Sequence, residues 1–240
     1  MSARVLIIIP AYNEAETLAS VIEHLRRDAP ECDILVVDDG SNDDTAKIAR
    51  AMANVAVVQL PFNLGIGGAM QTGFKFALRQ GYDIAVQCDA DGQHPTDQVR
   101  TLVERLDRGD LDLVVGSRYV ADTGYTPSLG RRLGKSLLSR LVNAVAGGGI
   151  TDTTSGFRAA NRKVLRLFAR HYPEDYPEPE ALVIMYKAGL RAAEIPVIMR
   201  ERQGGVTSIR PQNALYYMVK VALAIFVDAF RKFTHAPEEP

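Results

Sequence analysis

Two carboxylates stand one residue apart near the end of the stretch Asp83–Pro95, at Asp89 and Asp91, with Gln93 two positions further on. The apolar run Ile84–Cys88 before them reads as a buried strand, bounded by Gly81 on one side and by Gly92 and Pro95 on the other. A strand that stops at Asp-x-Asp delivers both carboxylates to the carboxyl edge of a sheet, where open α/β sheets bind their ligands. Asp89, Asp91 and Gln93 offer only hard oxygen ligands. That set suits Mg²⁺ or Mn²⁺ shared with a substrate's phosphates and suits zinc poorly. Taken alone, an Asp-x-Asp is more often a solvated acidic turn.

Two further polar loops follow apolar runs. Val5–Ile9 is a continuous β-branched and leucine run ending at Pro10, followed by Tyr12, Asn13 and Glu14. Ile34–Val37 ends in Asp38, Asp39, Gly40 and Ser41. Runs of this kind are strands covered on both faces. Helical spacing over 15–27, 43–52, about 65–78 and about 96–106 separates these strands from others at Val55–Leu60, Ile84–Cys88 and Leu113–Val115. Ser41 or Asn42 is the expected cap of the second helix. Strand and helix alternate, so the first half predicts a mostly parallel sheet with helices on both faces. Its strands point one way, and the three polar loops converge on one edge.

Beyond Gly116, Ser117, Arg118 and Tyr119 the pattern changes. Residues 120–128 read as a mobile loop and 129–146 as a helix with a leucine face and Arg131, Arg132, Lys135 and Arg140. Thr151–Ala160 returns as a turn and strand, Arg162–Arg170 as a short helix, 172–180 as a Pro- and Glu-rich loop, and 181–188 as a helix. Then come an extended segment at 192–199, a basic glycine-containing loop at 200–210, an apolar helix at 213–233 and a disordered tail from His235. The expected organisation is one domain over 1–210, in two halves that meet where the pattern changes (1–118 and 119–210), then the C-terminal helix and tail (211–240).

The joint pattern resembles family 2 of the glycosyltransferases with the GT-A fold. It is carried by Ile9–Glu14, Val36–Thr45, Asn63-x-Gly65-x-Gly67, Asp89–Pro95 and Gly116–Tyr119 in that order. Thr153–Arg158, after a basic helix, narrows the likeness to polyprenyl-phosphate (dolichyl-phosphate) mannosyl- and glucosyltransferases. The resemblance implies that Pro10, Tyr12 and Glu14 line the nucleotide pocket, that Asp39 (or Asp38) meets the base, and that Asn63 and Gly65 lie nearby. It implies that Asp89 and Asp91 hold the metal and donor diphosphate, with Gln93 completing the shell. Arg118 would add positive charge to the diphosphate or the acceptor, and Arg200, Arg202 or Arg210 would close over the diphosphate. The glycines at 65, 67 and 68 lack the dinucleotide spacing and read as close helix packing. Glu178 or Glu180 stands where hydroxyl-acceptor members carry a base, and is equally readable as part of an acidic loop.

The implied enzyme is a metal-dependent inverting transferase. It moves a sugar from a nucleotide-diphospho-sugar to a polyprenyl phosphate, or alternatively to a hydroxyl of a cell-surface glycan or glycolipid. More distant readings are a nucleotidyltransferase and a receiver-type signalling module. Net charge of −1 gives no field that recruits nucleic acid. Cys32 and Cys88 read as reduced packing residues. The expected location is cytoplasmic, peripheral at the cytoplasmic membrane face, with the C-terminal helix as a candidate membrane or homo-oligomer contact.

Overall fold

A computed structural model describes residues 3–120, 129–174, 177–200, 214–231 and 233. Among these, seven strands form one sheet: β1 (Val5–Ala11), β2 (Asp33–Asp38), β3 (Val55–Gln59), β4 (Ile84–Gln87), β5 (Leu113–Ser117), β6 (Arg158–Asn161) and β7 (Ala192–Pro196). Their order is β3-β2-β1-β4-β6-β5-β7. Only β6 runs against its neighbours, pairing antiparallel with both β4 and β5.

β1 shows why the sheet is buried on both sides. Leu6 and Ile8 join one apolar core, while Val5, Ile7 and Ile9 join the other. Alternate side chains leave opposite faces of a strand, so an unbroken apolar run needs cover on each. On one face lie α3 (Gly65–Arg79), α5 (Leu129–Ala146), α6 (Arg162–Arg170), α7 (Pro177–Lys187) and α8 (Ala214–Phe230). On the other lie α1 (Leu18–Asp28), α2 (Thr45–Ala51) and α4 (Val99–Asp107), the last entered through a 3-10 turn at Thr96–Gln98. None of the described helices is long and apolar enough to cross a membrane.

The chain order reverses direction beside β1, which lies between β2 and β4 in parallel register, with Ala11 opposite Asp38 and Ile8 opposite Gln87. A ligand crevice opens outside the strand ends at such a switch point.

Several expected boundaries move, each for a visible reason. Pro10 does not stop β1: it sits opposite Val37 and the strand runs on to Ala11. Ser41 and Asn42 do not cap α2. The Asn13 N–H donates to Ser41 Oγ at 3.0 Å and the Asn42 N–H to Asn13 Oδ1 at 2.9 Å, which laces the first two loops together. The Asp43 carboxylate instead accepts from the Thr45 N–H at 3.0 Å. The acidic segment at 172–180 is not all loop, because α7 begins at Pro177. Prolines 177 and 179 fall in the first turn, where no backbone N–H is needed, and Glu178 and Glu180 favour the helix's positive end. Residues 121–128 of the loop expected at 120–128, the segment 201–213 with Arg202 and Arg210, and the tail from residue 234 lie outside the described residues.

Candidate active site

Three neighbouring strands end in the residues singled out by their chemistry. With strands about 4.8 Å apart, the ends of β2 and β4 lie ~10 Å from each other across β1. The β1 loop turns at Asn13, whose φ of 55° is left-handed. Tyr12 is 43% exposed there. Glu14 is anchored at both ends: its N–H donates to Thr45 Oγ1 at 2.9 Å, and its Oε2 accepts from Thr17 Oγ1 at 3.0 Å.

The two aspartates after β2 have different surroundings. Asp38 is fully buried; Oδ1 accepts a long 3.4 Å bond from the Ser41 N–H, and Oδ2 has no hydrogen-bond partner among the described residues. Asp39 Oδ1 accepts from the Leu64 N–H at 2.7 Å. Burial, with Asp38 beside it, holds the Asp39 carboxyl above the usual carboxylate range, and the amides of Leu64 and Gly65 offset only part of that. Asn63 Oδ1 accepts from the Gly65 N–H at 3.0 Å, so the turn opening α3 is built onto Asp39. Gly40, at φ 69°, allows this approach, since a Cβ there would stand 2.6 Å from the Phe62 carbonyl carbon. Gly67 is a packing glycine: a Cβ would lie 2.0 Å from the Pro173 carbonyl oxygen.

At the end of β4, the Asp89 carboxylate is bracketed. Gln87 Nε2 donates to Oδ1 at 3.1 Å, and His94 Nε2 lies 3.5 Å from Oδ2. His94 Nδ1 accepts from the Asp89 N–H at 2.9 Å, which assigns the ring proton to Nε2. Gly156 leaves room behind this carboxylate; a Cβ there would sit 3.4 Å from Asp89 Oδ2. Asp91 Oδ1 accepts from the Gln93 N–H at 3.0 Å, and the Gln93 carbonyl accepts from the Arg200 N–H at 2.8 Å.

Among the described residues no three His, Cys, Asp or Glu side chains gather to hold a metal. Two carboxylates and an amide oxygen still fit Mg²⁺ or Mn²⁺. Mg²⁺ in particular takes one or two protein carboxylates and fills its shell with water and substrate phosphate.

Arg118, after β5, is committed to a partner that its local sequence does not reveal. Nε and Nη2 form a fork on Asp152, each at 2.8 Å, and Nη2 also reaches Thr154 Oγ1 at 3.1 Å. Asp152 is fully buried, and its own N–H donates to Glu194 Oε1 at 2.6 Å. Arg158, 5% exposed, donates to the carbonyls of Ser155, Glu178 and Thr153 at 2.7, 2.9 and 3.0 Å. It ties the 153–156 loop behind Asp89 to the first turn of α7.

The two glutamates of α7 part company. Glu178 feels Arg158, Asp89 and Arg118; burial pushes its carboxyl up, Asp89 adds to that, and the two arginines oppose it. Glu180 meets Asp228 of α8 and borders a cavity of about 290 Å³ that Arg231 also lines. Burial and the neighbouring Asp228 raise Glu180 to about 7. An acid whose folded value lies above its unfolded one stabilises the fold at low pH, and the benefit is lost between roughly 4.5 and 7 as pH rises. Glu180→Gln, which keeps a donor for Asp228 without ionising, is therefore expected to raise Tm at pH 8 by about 2–4 °C and to have less effect at pH 5. Melting curves at the two pH values check this.

The structure thus joins the loops of Glu14, Asp39, Asn63 and Gly65 by direct bonds and sets Glu178 among Asp89, Arg118 and Arg158. It turns Glu180 elsewhere. Gln87, His94, Asp152, Arg158 and Glu194 support the site and were not singled out by the sequence. Arg158 and His94 had a signal, as members of the stretches Thr153–Arg158 and Asp89–Pro95.

The family model described as Glycosyl transferase family 2 matches residues 6–168. Similar proteins include a polyprenol monophosphomannose synthase of Mycolicibacterium smegmatis, 35% identical over 231 residues covering 91% of this chain and 86% of that one. An undecaprenyl-phosphate mannosyltransferase of Micrococcus luteus is 35% identical over 210 residues, covering 84% and 86%. A glucosyl-3-phosphoglycerate synthase of Mycobacterium tuberculosis, crystallised with Mn²⁺, uridine-diphosphate-glucose and phosphoglyceric acid, superposes with a TM-score of 0.71 at 23% identity, over 95% of this chain and 80% of that one.

Proposed function

The chain belongs to glycosyl transferase family 2 and is a glycosyltransferase with the GT-A fold, and from that premise we propose that it moves a sugar from a nucleotide-diphospho-sugar to a polyprenyl phosphate. The observation that carries the acceptor is the extent of the match. Two relatives named for polyprenol and undecaprenyl phosphate align over 231 and 210 residues, too many for the donor half alone. The work would be done at the cytoplasmic face of a membrane, with the enzyme held there peripherally.

In this reading the Asp39 carboxylate accepts from a ring N–H of the base, and Pro10, Tyr12 and Glu14 wall the nucleotide. Asn63 and Gly65 support the same pocket. Asp91, Asp89 and Gln93 would hold Mg²⁺ or Mn²⁺, which when bound supplies Lewis-acid stabilisation of the departing diphosphate. The fork on Asp152 holds Arg118 in one orientation beside the site, and Arg202 would add positive charge to the diphosphate. The acceptor phosphate is largely ionised near neutral pH, with a second pKa of about 6, and needs no base. Its oxygen bonds to the anomeric carbon as the bond from that carbon to the diphosphate oxygen breaks. The electron pair leaves with the nucleoside diphosphate, and a single displacement inverts the centre.

A hydroxyl acceptor is the second reading, favoured by the nearness of Glu178 to Asp89. The two diverge on Glu178→Gln. With a phosphate acceptor kcat stays within about threefold of wild type, whereas loss of a needed general base costs ~10²–10⁴ in rate. The direct test is a panel of nucleotide-sugars with Mg²⁺ or Mn²⁺, read by thermal shift and donor hydrolysis with and without a short-chain polyprenyl phosphate. Acceptor-dependent nucleoside diphosphate release is the expected result. Release that ignores the lipid phosphate and responds to a glycan overturns the assignment.

A further inference from the structure

We propose that the outward face of α8 seats this protein on an anionic lipid surface. Val219, Leu223, Phe226, Val227 and Phe230 are each at least half exposed, from 50% at Val227 to 77% at Phe230. At about 100° per residue these five positions fall within one arc of ~100°. Val221 and Ile225 on the opposite side enter the core at 2% and 0% exposure. The helix is thus anchored to the protein by one stripe and presents a second, unbroken apolar stripe outward. Phe226 and Phe230 meet edge to face along that stripe, with ring centroids 5.1 Å apart. On α5, which packs beside α8, Leu137 is 63% exposed as well. A continuous exposed stripe of large side chains marks a contact surface rather than scattered surface residues.

Charge decides what covers it. Lys220 and Arg231 lie along one border of the stripe by helical position, and the Arg231 side chain is 58% exposed. The one acid of α8, Asp228, is 1% exposed and turned into the protein, where Oδ1 accepts from Arg231 Nη1 at 3.1 Å. The neighbouring α5 adds the exposed Arg140 and has no acid in its sequence, in a chain whose net charge is −1. A second copy would bring the same cations to the same border, without the opposite charges that pair helices use at their rims. An anionic headgroup layer complements both the apolar stripe and its cationic border. The proposal rests on the polyprenyl-phosphate reading only in that such an acceptor holds its tail in a bilayer.

The test is co-sedimentation of the full chain with vesicles of phosphatidylcholine, alone or mixed with phosphatidylglycerol, alongside light scattering. A Phe226→Ser, Phe230→Ser double variant is suitable because both side chains are exposed and neither belongs to the catalytic machinery. Binding to the anionic vesicles, weakened by salt and reduced ~10-fold or more in the double variant, with transfer to a short-chain polyprenyl phosphate in detergent-free solution unchanged, is the expected result. Failure to bind, or binding untouched by the substitutions, overturns the proposal. So does a wild-type dimer that the substitutions turn into monomers without any vesicle binding, which assigns the face to a second copy. Vesicle binding that persists while no polyprenyl phosphate is glycosylated sinks the acceptor reading and leaves the docking face standing.

Discussion

Asp91→Ala is expected to fold as the wild type does and to transfer sugar at least ~10³-fold more slowly, the scale lost when a group stabilising leaving-group charge is removed. The fold should survive because the turn does not depend on this side chain. Gly92, at φ 76°, makes the bend, and the substitution removes the bond that Asp91 Oδ1 accepts from the Gln93 N–H at 3.0 Å. Such a bond is worth about 1 kcal/mol, a shift of roughly 2–4 °C in Tm for a chain of this size. The rate should not survive. Asp89 is already bracketed by Gln87 and His94, and among the described residues no three His, Cys, Asp or Glu side chains gather to hold the ion without Asp91. The measurement is kcat together with the thermal shift produced by Mn²⁺ plus nucleoside diphosphate. Both should vanish in the variant while Tm without ligand stays close to wild type. Turnover within tenfold of wild type would remove the cation from Asp91 and with it the proposed chemistry.

What the sequence made legible was whatever it encodes locally. The unbroken apolar run of β1 demanded two covering layers, and both are there. The helices at Leu129–Ala146 and Arg162–Arg170 start and stop where their periodicity does. The reading of Gly67 as a packing glycine also follows from type and place, and the Pro173 carbonyl shows the reason. What stayed hidden were partnerships across the chain. Arg118 reads as a cation available to a diphosphate, yet it is forked onto Asp152, 34 residues away, and Asp152 is itself steadied from β7 by Glu194. Such pairings have no spacing signature, because the antiparallel insertion of β6 between β4 and β5 brings them together. Glu178 and Glu180 looked interchangeable two residues apart. On a helix that step turns the side chain through about 200°, so one meets the site and the other meets α8.

Arg158→Met is expected to cost about 4 kcal/mol of stability, because three carbonyls lose a charged donor at once. Met fills much of the same volume, so the cost does not come from a cavity. It comes from the Ser155, Thr153 and Glu178 carbonyl oxygens, which now face a side chain that cannot donate. Each buried acceptor that loses a donor costs up to ~1–3 kcal/mol, and the Glu178 carbonyl's place in the first turn of α7, with partial relaxation toward water, keeps the sum near the lower end. At roughly 2–4 °C per kcal/mol, Tm should fall by about 8–16 °C. Arg158→Lys should recover only part of this, since an ammonium is a point donor and cannot span three carbonyls as a planar fork does. The variant should also alter the site. The charge of Arg158 holds the Glu178 carboxyl down against burial, so its loss pushes Glu178 further up and loosens the loop behind Asp89. Urea titration with kcat measured well below the new Tm separates the two effects. A stability loss under ~1 kcal/mol would mean that water reaches those carbonyls and that Arg158 does not join the two sides of the site.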